Sequence, residues 1–366
     1  MLRLGIAGIG TIASDYIGLI AAGRVEHIAL TALCSRNPDN IRRVCQANGI
    51  QAAEFTDYAA MLTSGAIDAV LISTPHPEHP RMVCQAVEAG IHPLVEKPVG
   101  TFCDDVDRAV EALRGHPELV CGVMYNRRAS KAYRHIRQLV EAGTIGELVR
   151  ATWLITDLYR TKAYYGSGAW RGRWQSEGGG ILMTQASHQL DLLQWICGMP
   201  TEVMARCSTV GRPVQVENEA ELFLTFPNGA HGHFIASAHE SPGTNLLELC
   251  GTRGRITIRD DRFVEVVELE EDERDFAERC PDPFRKVPQH RYTLTFDDSD
   301  NKVQQAAAIQ NFAEAVLNGG KPMCTLEEGL RSLQVIHGAY LSSWLKSSVC
   351  VPVDEADYRG YLLSME

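Results

Sequence analysis

A glycine-rich turn near the start of the sequence has the spacing of a phosphate-binding loop. Residues 8–13 (GIGTIA) follow a short apolar run and open a stretch that can form a helix. In that position Gly8 permits a tight turn, and Gly10 lets a pyrophosphate approach the main chain. Thr11 and Ile12 begin the helix, whose N-terminal N–H groups favour anions. We therefore predict a dinucleotide site, and a glycine turn that only joins two elements is the alternative.

The choice between NAD and NADP depends on the residue types that follow the second apolar run, residues 28–34. An acidic residue there would hydrogen-bond the adenosine ribose hydroxyls and repel a 2'-phosphate. This sequence instead has Ser35 and Arg36, with Arg42 and Arg43 nearby. A hydroxyl and a guanidinium can bind a phosphate, so NADP is favoured over NAD. An exposed arginine without a ligand is the other interpretation.

The elements that must position these residues alternate between strand and helix. Apolar runs predict strands, and stretches with a capping residue or an early proline that end at glycine predict helices. The predicted strands are residues 2–7, 28–34, 69–73, 92–96 and 119–124, and the predicted helices are 11–22, 38–48, 78–89 and 104–113. This order is typical of an α/β protein with a parallel, doubly wound sheet, which binds ligands at the carboxyl ends of its strands.

Composition argues against several other classes of protein. The 366 residues exceed what one hydrophobic core usually supports, so two domains are expected. The net charge of −11 opposes binding to nucleic acid or to anionic membranes. Eleven scattered cysteines, with no CxxC pair and no Cys/His ligand cluster, favour the reducing cytoplasm and predict no metal site. Neither a signal peptide nor an apolar run of about 18 residues is visible, so neither secretion nor membrane insertion is expected.

Three further patterns, taken in their order and spacing, resemble the Gfo/Idh/MocA oxidoreductase family. They are residues 73–79 (STPHPEH), residues 96–98 (EKP), and the glycine triplet 178–180 followed by His188 and Asp191. The resemblance covers nearly the whole chain. It implies a Rossmann domain over residues 1–125. It also implies a substrate-binding and oligomerisation α/β domain over residues 126–366, built on a large, mainly antiparallel sheet.

The resemblance also implies roles for residues around the cofactor. Lys97 would lie beside the nicotinamide and hydrogen-bond the developing alkoxide of the substrate. His76 replaces an asparagine that is frequent in the family, and it is expected to line the nicotinamide pocket. The other implied cofactor contacts are Thr74, Pro75, His79, Glu96, Trp170 and Arg171.

His188 matches the family histidine that acts as acid or base on the substrate hydroxyl, a task that suits imidazole near neutral pH. We expect a helix beginning near Met183, on which Asp191 lies one turn after His188 and can orient it. Complementing the helix dipole is a compatible role for Asp191. Thr184 stands where many members carry an aspartate. Its hydroxyl can hydrogen-bond a sugar but cannot act as a base, so proton transfer falls more heavily on His188.

Aromatic and basic residues close to these motifs suit a polyol. Tyr125 and Arg127 follow the last predicted Rossmann strand, and Tyr165 precedes the glycine triplet. Aromatic faces can stack on sugar C–H surfaces while arginines bind ring oxygens. We expect these three residues, with Thr184 and His188, to contact the substrate, and ordinary packing is the alternative for the first three.

From residue 146 onward the pattern changes to strand-like runs in which apolar and polar residues alternate, as in residues 219–226. These runs predict an antiparallel sheet. Because sheets pair face to face in the family, we expect a homodimer or a dimer of dimers. The charge-rich segment 260–285 is expected to be a solvated excursion. Helices are expected over residues 311–317 and 326–344.

These features together predict hydride transfer between a nicotinamide and a secondary hydroxyl or ketone of a sugar, glycoside or cyclitol. Two alternatives stay open. One is an enzyme that retains its dinucleotide, oxidises a glycoside at C3, eliminates the aglycone and then reduces the product. The other is a non-catalytic protein that senses a dinucleotide, because fold alone does not establish chemistry.

Overall fold

The computed structural model describes residues 1–168 and 171–365. Its contacts divide the chain into two compact units. The first contains Met1–Ala129 and Asp300–Leu333, and the second contains Ser130–Ser299 and the residues from Gln334 onward. The functional division at residue 125 stays a prediction, whereas packing extends the first unit to Ala129 and adds a late segment of the chain. In the described ranges, no helix is both long and apolar enough to span a membrane.

The first unit is built on the parallel sheet that the alternating pattern predicts. Its elements before Ala129 are β1 (Leu2–Ala7), α1 (Thr11–Ala21), β2 (Ile28–Cys34), α2 (Pro38–Asn48), β3 (Ala53–Phe55), α3 (Tyr58–Thr63), β4 (Ala69–Ile72), α4 (His79–Glu88), β5 (His92–Val95), α5 (Cys103–Arg114) and β6 (Gly122–Val123). The six described strands are parallel and lie in the order β3-β2-β1-β4-β5-β6. The strand order reverses beside β1, which confirms the doubly wound Rossmann architecture.

The second unit contains the larger sheet. The chain continues through α6 (Lys131–Glu141), β7 (Leu148–Ile155), α7 (Lys162–Gly166), α8 (Trp174–Glu177), α9 (Ile181–Thr184), α10 (Ser187–Cys197), β8 (Glu202–Ser208), β9 (Glu219–Thr225), β10 (His231–Ser237), β11 (Asn245–Gly251), β12 (Gly254–Arg259), β13 (Phe263–Leu269), α11 (Glu273–Arg279), β14 (Gln289–Thr295), α12 (Asn301–Asn318), α13 (Leu326–Leu345), β15 (Val349–Cys350) and α14 (Glu355–Leu363). The nine described strands of the larger sheet lie in the order β14-β13-β12-β11-β7-β10-β9-β8-β15. All neighbours are antiparallel except β7 and β10, so the mainly antiparallel sheet is confirmed.

One prediction about these elements needs correction, and one helix has a packing partner that was not predicted. The charge-rich segment contains β13, which pairs with β12 and β14, and its Val264 and Val266 are buried. Glu265 lies between these two valines and therefore faces the other side of the sheet, so its carboxylate stays off the core while the segment forms an inner strand. The late helix α12 also has a partner that the sequence did not reveal. Its Ile309 and Phe312 belong to the same buried core as Leu4 of β1.

Candidate functional site

The carboxyl ends of neighbouring strands bring the N-terminal motifs to one edge of the parallel sheet. Ala7 is in register with Cys34 and with Ile72, and Ile72 is in register with Val95. The next residues extend the same ladder. The N–H groups of Gly8, Ser73 and Glu96 donate to the carbonyls of Cys34, Ala7 and Ile72 over 2.9, 2.8 and 2.9 Å. Three motifs that are far apart in the sequence therefore share one edge.

The glycine turn at this edge fits a phosphate group. Gly8 has φ of 89°, and a Cβ there would lie 2.5 Å from the carbonyl oxygen of Ser73, so only glycine fits. A Cβ on Gly10 would meet no atom within 4 Å. Gly10 caps α1 without a side-chain hydrogen bond, no acidic residue lies in the first turn, and Thr11 and Ile12 are exposed. The N–H groups at the start of α1 are therefore accessible to the pyrophosphate of a dinucleotide.

The end of β2 carries the residues predicted to choose between NAD and NADP. Ser35 is mostly buried, and its Oγ accepts a hydrogen bond from the N–H of Asn37 over 3.3 Å. Arg36 is exposed beside it. Arg42 pairs with Asp39 over 2.7 Å, so this guanidinium is already engaged on α2. Arg36 is therefore the exposed guanidinium that follows β2 most closely in the sequence.

The loop after β4 contains two histidines with different environments. His79 is fully buried, and its Nδ1 and Nε2 lie 2.8 Å from the carbonyl oxygens of Pro98 and Thr74. Burial lowers the pKa of His79. The structure gives His79 a positioning role between two loops, in place of the predicted contact with the cofactor. His76 and Thr74 are half-buried and Pro75 is exposed, so the loop itself is accessible.

Glu96 lies buried in front of Lys97 and contacts the first helix. The hydroxyl of Tyr16, on α1, donates to Oε1 of Glu96, and the main-chain N–H of Lys97 donates to Oε2 over 3.1 Å. Burial raises the pKa of Glu96, and hydrogen bonds from Tyr16 and Lys97 oppose that rise. The carboxylate predicted as a cofactor contact therefore links α1 to the main chain of Lys97. Lys97 itself is half-buried.

Tyr125 does not occupy the position predicted for a substrate contact. Its side chain is 1% exposed, and its hydroxyl lies 2.7 Å from Oγ of Ser332 in the same unit. The ring is therefore packed inside the first unit. Arg128, with 0% exposure, pairs with Glu328 in the same region. Arg127 is half-buried, and its predicted role stays a prediction.

In the second unit, the helix expected to begin near Met183 is two helices. The short α9 ends at Thr184 and α10 begins at Ser187, because the carbonyl of Ile181 accepts from the N–H groups of both Gln185 (3.1 Å) and Ala186 (2.7 Å). His188 is half-buried in the first turn of α10. Asp191 follows one turn later, is 1% exposed, and accepts from Nε2 of Gln194 over 3.1 Å.

A chain of hydrogen bonds leads from Thr184 to Arg171. Oγ1 of Thr184 lies 2.6 Å from Oε1 of Gln185, and Nε2 of Gln185 donates to the hydroxyl of Tyr164 over 2.8 Å. The guanidinium of Arg171 donates to the same hydroxyl over 2.6 Å and lies 4.4 Å from the centre of the ring. Tyr165 is half-buried, with its ring at 5.1 Å from that of Tyr164. Trp170 lies outside the described residues.

A buried carboxylate explains the glycine triplet that precedes α9. Oε2 of Glu217 accepts from the N–H of Gly180 over 2.8 Å, and Oε1 accepts from the N–H of Leu182 over 3.0 Å and from the hydroxyl of Tyr340 over 2.7 Å. A Cβ on Gly180 would lie 1.8 Å from the carbonyl oxygen of Glu217, and one on Gly179 would lie 2.2 Å from the Tyr340 hydroxyl. Burial raises the pKa of Glu217 to about 7. The glycines therefore let this carboxylate hold the start of α9.

Two family descriptions match this chain, one over the Rossmann domain and one over the region that follows it. Residues 2–125 match the oxidoreductase family with an NAD-binding Rossmann fold, and residues 133–257 match the GFO/IDH/MocA C-terminal domain. The chain belongs to the Gfo/Idh/MocA oxidoreductase family. The predicted membership is thus confirmed, together with an NAD-binding Rossmann domain and an oxidoreductase activity.

Relatives of this Gfo/Idh/MocA oxidoreductase match along most of their length. The oxidoreductase YrbE of Bacillus subtilis (strain 168) is 27% identical over 351 residues, 92% of this chain and 93% of YrbE. Myo-inositol 2-dehydrogenase of Thermotoga maritima is 25% identical over 362 residues, 95% of this chain and 98% of that protein. The crystal structure of the WlbA dehydrogenase from Bordetella pertussis with NADH and UDP-GlcNAcA has the same fold. Its TM-score is 0.79 at 24% identity, covering 96% of this chain and 99% of WlbA.

Three residues of this Gfo/Idh/MocA member were missed by the sequence analysis. Tyr16 and Glu217 contact motifs that are distant in the chain, and neither has a local pattern that would reveal its partner. Gln185 lies directly after Thr184 and joins it to Tyr164. The glycine triplet was the available signal for Glu217, because consecutive glycines indicate a close approach of other atoms.

Proposed function

We propose that this oxidoreductase transfers a hydride between a nicotinamide cofactor and a secondary hydroxyl or ketone of a sugar, glycoside or cyclitol. The observation that carries the proposal is the shared edge of the parallel sheet, where Gly8, Gly10 and Glu96 follow neighbouring strands. An open glycine turn at a helix start suits the cofactor pyrophosphate. When bound, the nicotinamide would supply or accept the hydride.

The chain's own residues would handle the proton and the charge. His188 takes the proton of the substrate hydroxyl, and Lys97 hydrogen-bonds the oxygen as negative charge develops. Asp191, one turn along α10, orients His188, and Thr184 hydrogen-bonds the substrate. The Tyr16–Glu96 contact supports this proposal because it fixes the main chain at Lys97.

We propose that NADP is preferred over NAD. The exposed guanidinium of Arg36 follows Ser35 at the end of β2, and neither position is acidic. A guanidinium binds a 2'-phosphate through charge-assisted hydrogen bonds, whereas a carboxylate would repel it.

We further propose a cytoplasmic homodimer or dimer of dimers that pairs through the nine-stranded sheet. Met204 and Phe223 are directly opposite each other on β8 and β9, with 57% and 40% of their surfaces exposed. Exposed apolar pairs of this kind favour an interface. Sedimentation of Phe223→Asp should show smaller particles than the wild type, and unchanged particles would contradict this interface.

The proposed activity is tested by titration with NAD and NADP, followed by a panel of sugars, inositols and glycosides read at the nicotinamide absorbance. Tighter binding of NADP with hydride transfer to one polyol class is the expected result. Release of an aglycone without net change in absorbance, from protein that keeps its dinucleotide through dialysis, would instead favour the retained-cofactor enzyme. Dinucleotide binding without turnover of any substrate would favour the sensing protein.

A further inference from the structure

One part of this acidic chain is locally basic. The chain carries a net charge of −11, yet residues 158–176 include Arg160, Lys162, Arg171 and Arg173 and contain no aspartate or glutamate. Such a concentration of one sign of charge raises the local concentration of oppositely charged ligands. The first carboxylate after this stretch is Glu177, which is 2% exposed.

A cavity opens among these cations. It has a volume of about 830 Å³, and it is lined by Lys162, Tyr165, Arg171, Arg173 and residues 213–215, which together we call the basic pocket. The described lining contains no acidic side chain. Glu177 lies behind it, where its Oε2 accepts from the N–H of Gly172 over 2.6 Å. The volume suits a sugar derivative and exceeds what water or a simple ion needs.

The polar groups of the basic pocket are suited to an anion. Lys162 and Arg173 are exposed, so both cations are accessible to a ligand from solution. Burial raises the pKa of Tyr165 to about 12, while the guanidiniums of Arg212 and Arg160 act in the opposite direction. The Tyr165 hydroxyl therefore stays protonated at neutral pH and can donate a hydrogen bond. Each of these groups donates, and a carboxylate or phosphate accepts.

The basic pocket is connected to the residues proposed to bind the substrate hydroxyl. Arg171 is held by the hydroxyl and the ring of Tyr164, and Gln185 joins that hydroxyl to Thr184. Arg171 also lies 4.0 Å from Glu177, which fixes it further. A ligand that extends from Thr184 toward Arg171 would place its far end among the cations.

We propose that the basic pocket binds an anionic group of the substrate, so that the enzyme acts on sugar derivatives carrying a carboxylate or a phosphate. This inference rests on the proposed hydride transfer and specifies its substrate class. The phosphates of the dinucleotide are a second source of the same chemistry, because Arg171 was predicted to contact the cofactor. The experiment below separates the two sources.

The test compares the double variant Lys162→Gln/Arg173→Gln with the control Lys286→Gln/Arg259→Gln, which removes two exposed cations of the same unit outside the pocket. Inorganic pyrophosphate is titrated calorimetrically into enzyme saturated with dinucleotide. Initial rates are measured for D-glucose against D-glucuronate and for myo-inositol against its 1-phosphate. We expect the pocket variant to bind pyrophosphate about tenfold more weakly, since two charge-assisted hydrogen bonds are lost, and the control to bind within about twofold of wild type.

Of the two pairs of sugars, the one that the enzyme turns over faster decides the test. Wild type should have a higher kcat/KM for the anionic sugar of that pair than for the neutral one. The pocket variant should lose this advantage because its KM for the anionic sugar rises. Equal pyrophosphate affinity in the pocket variant and wild type would overturn the proposal. A tenfold loss of dinucleotide affinity with an unchanged preference between the paired sugars would also overturn it, by assigning the pocket to the cofactor. If no sugar of either charge is turned over, the proposed function fails, while the pyrophosphate titration still decides whether the pocket binds anions.

Discussion

The main-chain N–H of Gly180 donates to the buried carboxylate of Glu217 over 2.8 Å, although the two residues are 37 positions apart. The same carboxylate binds the N–H of Leu182 and the Tyr340 hydroxyl. Four residues after Gly180 the chain reaches Thr184, and α10 with His188 follows. Glu217 therefore connects the core of the second unit to the segment that carries the proposed substrate contacts.

This carboxylate should make stability depend on pH. Burial raises the pKa of Glu217 from its ordinary value of 4.5 to about 7, so the folded chain binds this proton more tightly than the unfolded chain. Its contribution is fully present below pH 4.5 and is lost as the pH rises through about 7. The size is on the order of 3 kcal/mol. Glu217→Gln resembles the protonated acid, so the melting temperature of wild type relative to this variant should fall between about pH 4.5 and pH 7.5 and stay level at higher pH. The exposed Glu278→Gln serves as control, and a constant difference for both variants would contradict the assignment.

Tyr16 should affect catalysis through Glu96. Tyr16→Phe leaves a buried carboxylate without one donor, which should cost about 1–3 kcal/mol of unfolding free energy. It should also lower kcat with little change in the KM for dinucleotide, because the Lys97 main chain loses its support. Tyr58→Phe is the control, since it removes a partly buried hydroxyl that donates to the Met82 carbonyl over 3.0 Å. Equal loss of kcat in both variants would show a general structural effect.

The two motif glycines should respond differently to alanine. Gly8→Ala brings a Cβ within 2.5 Å of the Ser73 carbonyl at a positive φ, so it should destabilise the protein by at least about 1–3 kcal/mol. Gly10→Ala adds its methyl to open space, so the melting temperature should stay near that of wild type. Dinucleotide affinity should nevertheless fall about tenfold or more, because the methyl occupies the approach to the N–H groups. Undiminished affinity in folded Gly10→Ala would place the pyrophosphate elsewhere.

Arg36 should determine the choice of dinucleotide. Arg36→Gln removes the guanidinium proposed to bind the 2'-phosphate, so NADP affinity should fall about tenfold while NAD affinity stays the same. Arg24→Gln, which removes an exposed cation before β2, is the control. Parallel titrations with both dinucleotides check this, and an equal effect on NAD and NADP would remove Arg36 from the discrimination.

Much of the first unit could be predicted because its signals are local. Apolar runs such as residues 28–34 and glycine stops define its strands and helices, and handedness rules then place the carboxyl ends on one edge. The short β3 and the contribution of α12 were not predictable in this way. An amphipathic helix shows that it has an apolar face, but the sequence does not say that Phe312 lies in the same buried core as Leu4, about 300 residues earlier.

The candidate site was predictable only where a motif carries its own chemistry. Gly8 and Gly10 are recognisable from their spacing and Lys97 from the resemblance to the family. Tyr125 and His79 were given surface roles because burial depends on the whole fold. The start of α9 likewise depends on Glu217, which accepts from the N–H of Gly180 across 37 positions of the sequence. Residue types indicate what a side chain can do, and tertiary contacts decide whether it faces a ligand.

The most direct test of the proposed activity is single-turnover hydride transfer in Lys97→Ala, His188→Ala and the double variant, each checked for folding and dinucleotide binding. Each single substitution should slow transfer by about 10²–10⁴-fold. The double variant should be slower than either by less than the product of the two effects, since both residues act on one hydroxyl. Unchanged transfer in folded, dinucleotide-binding Lys97→Ala and His188→Ala would contradict the assigned catalytic pair.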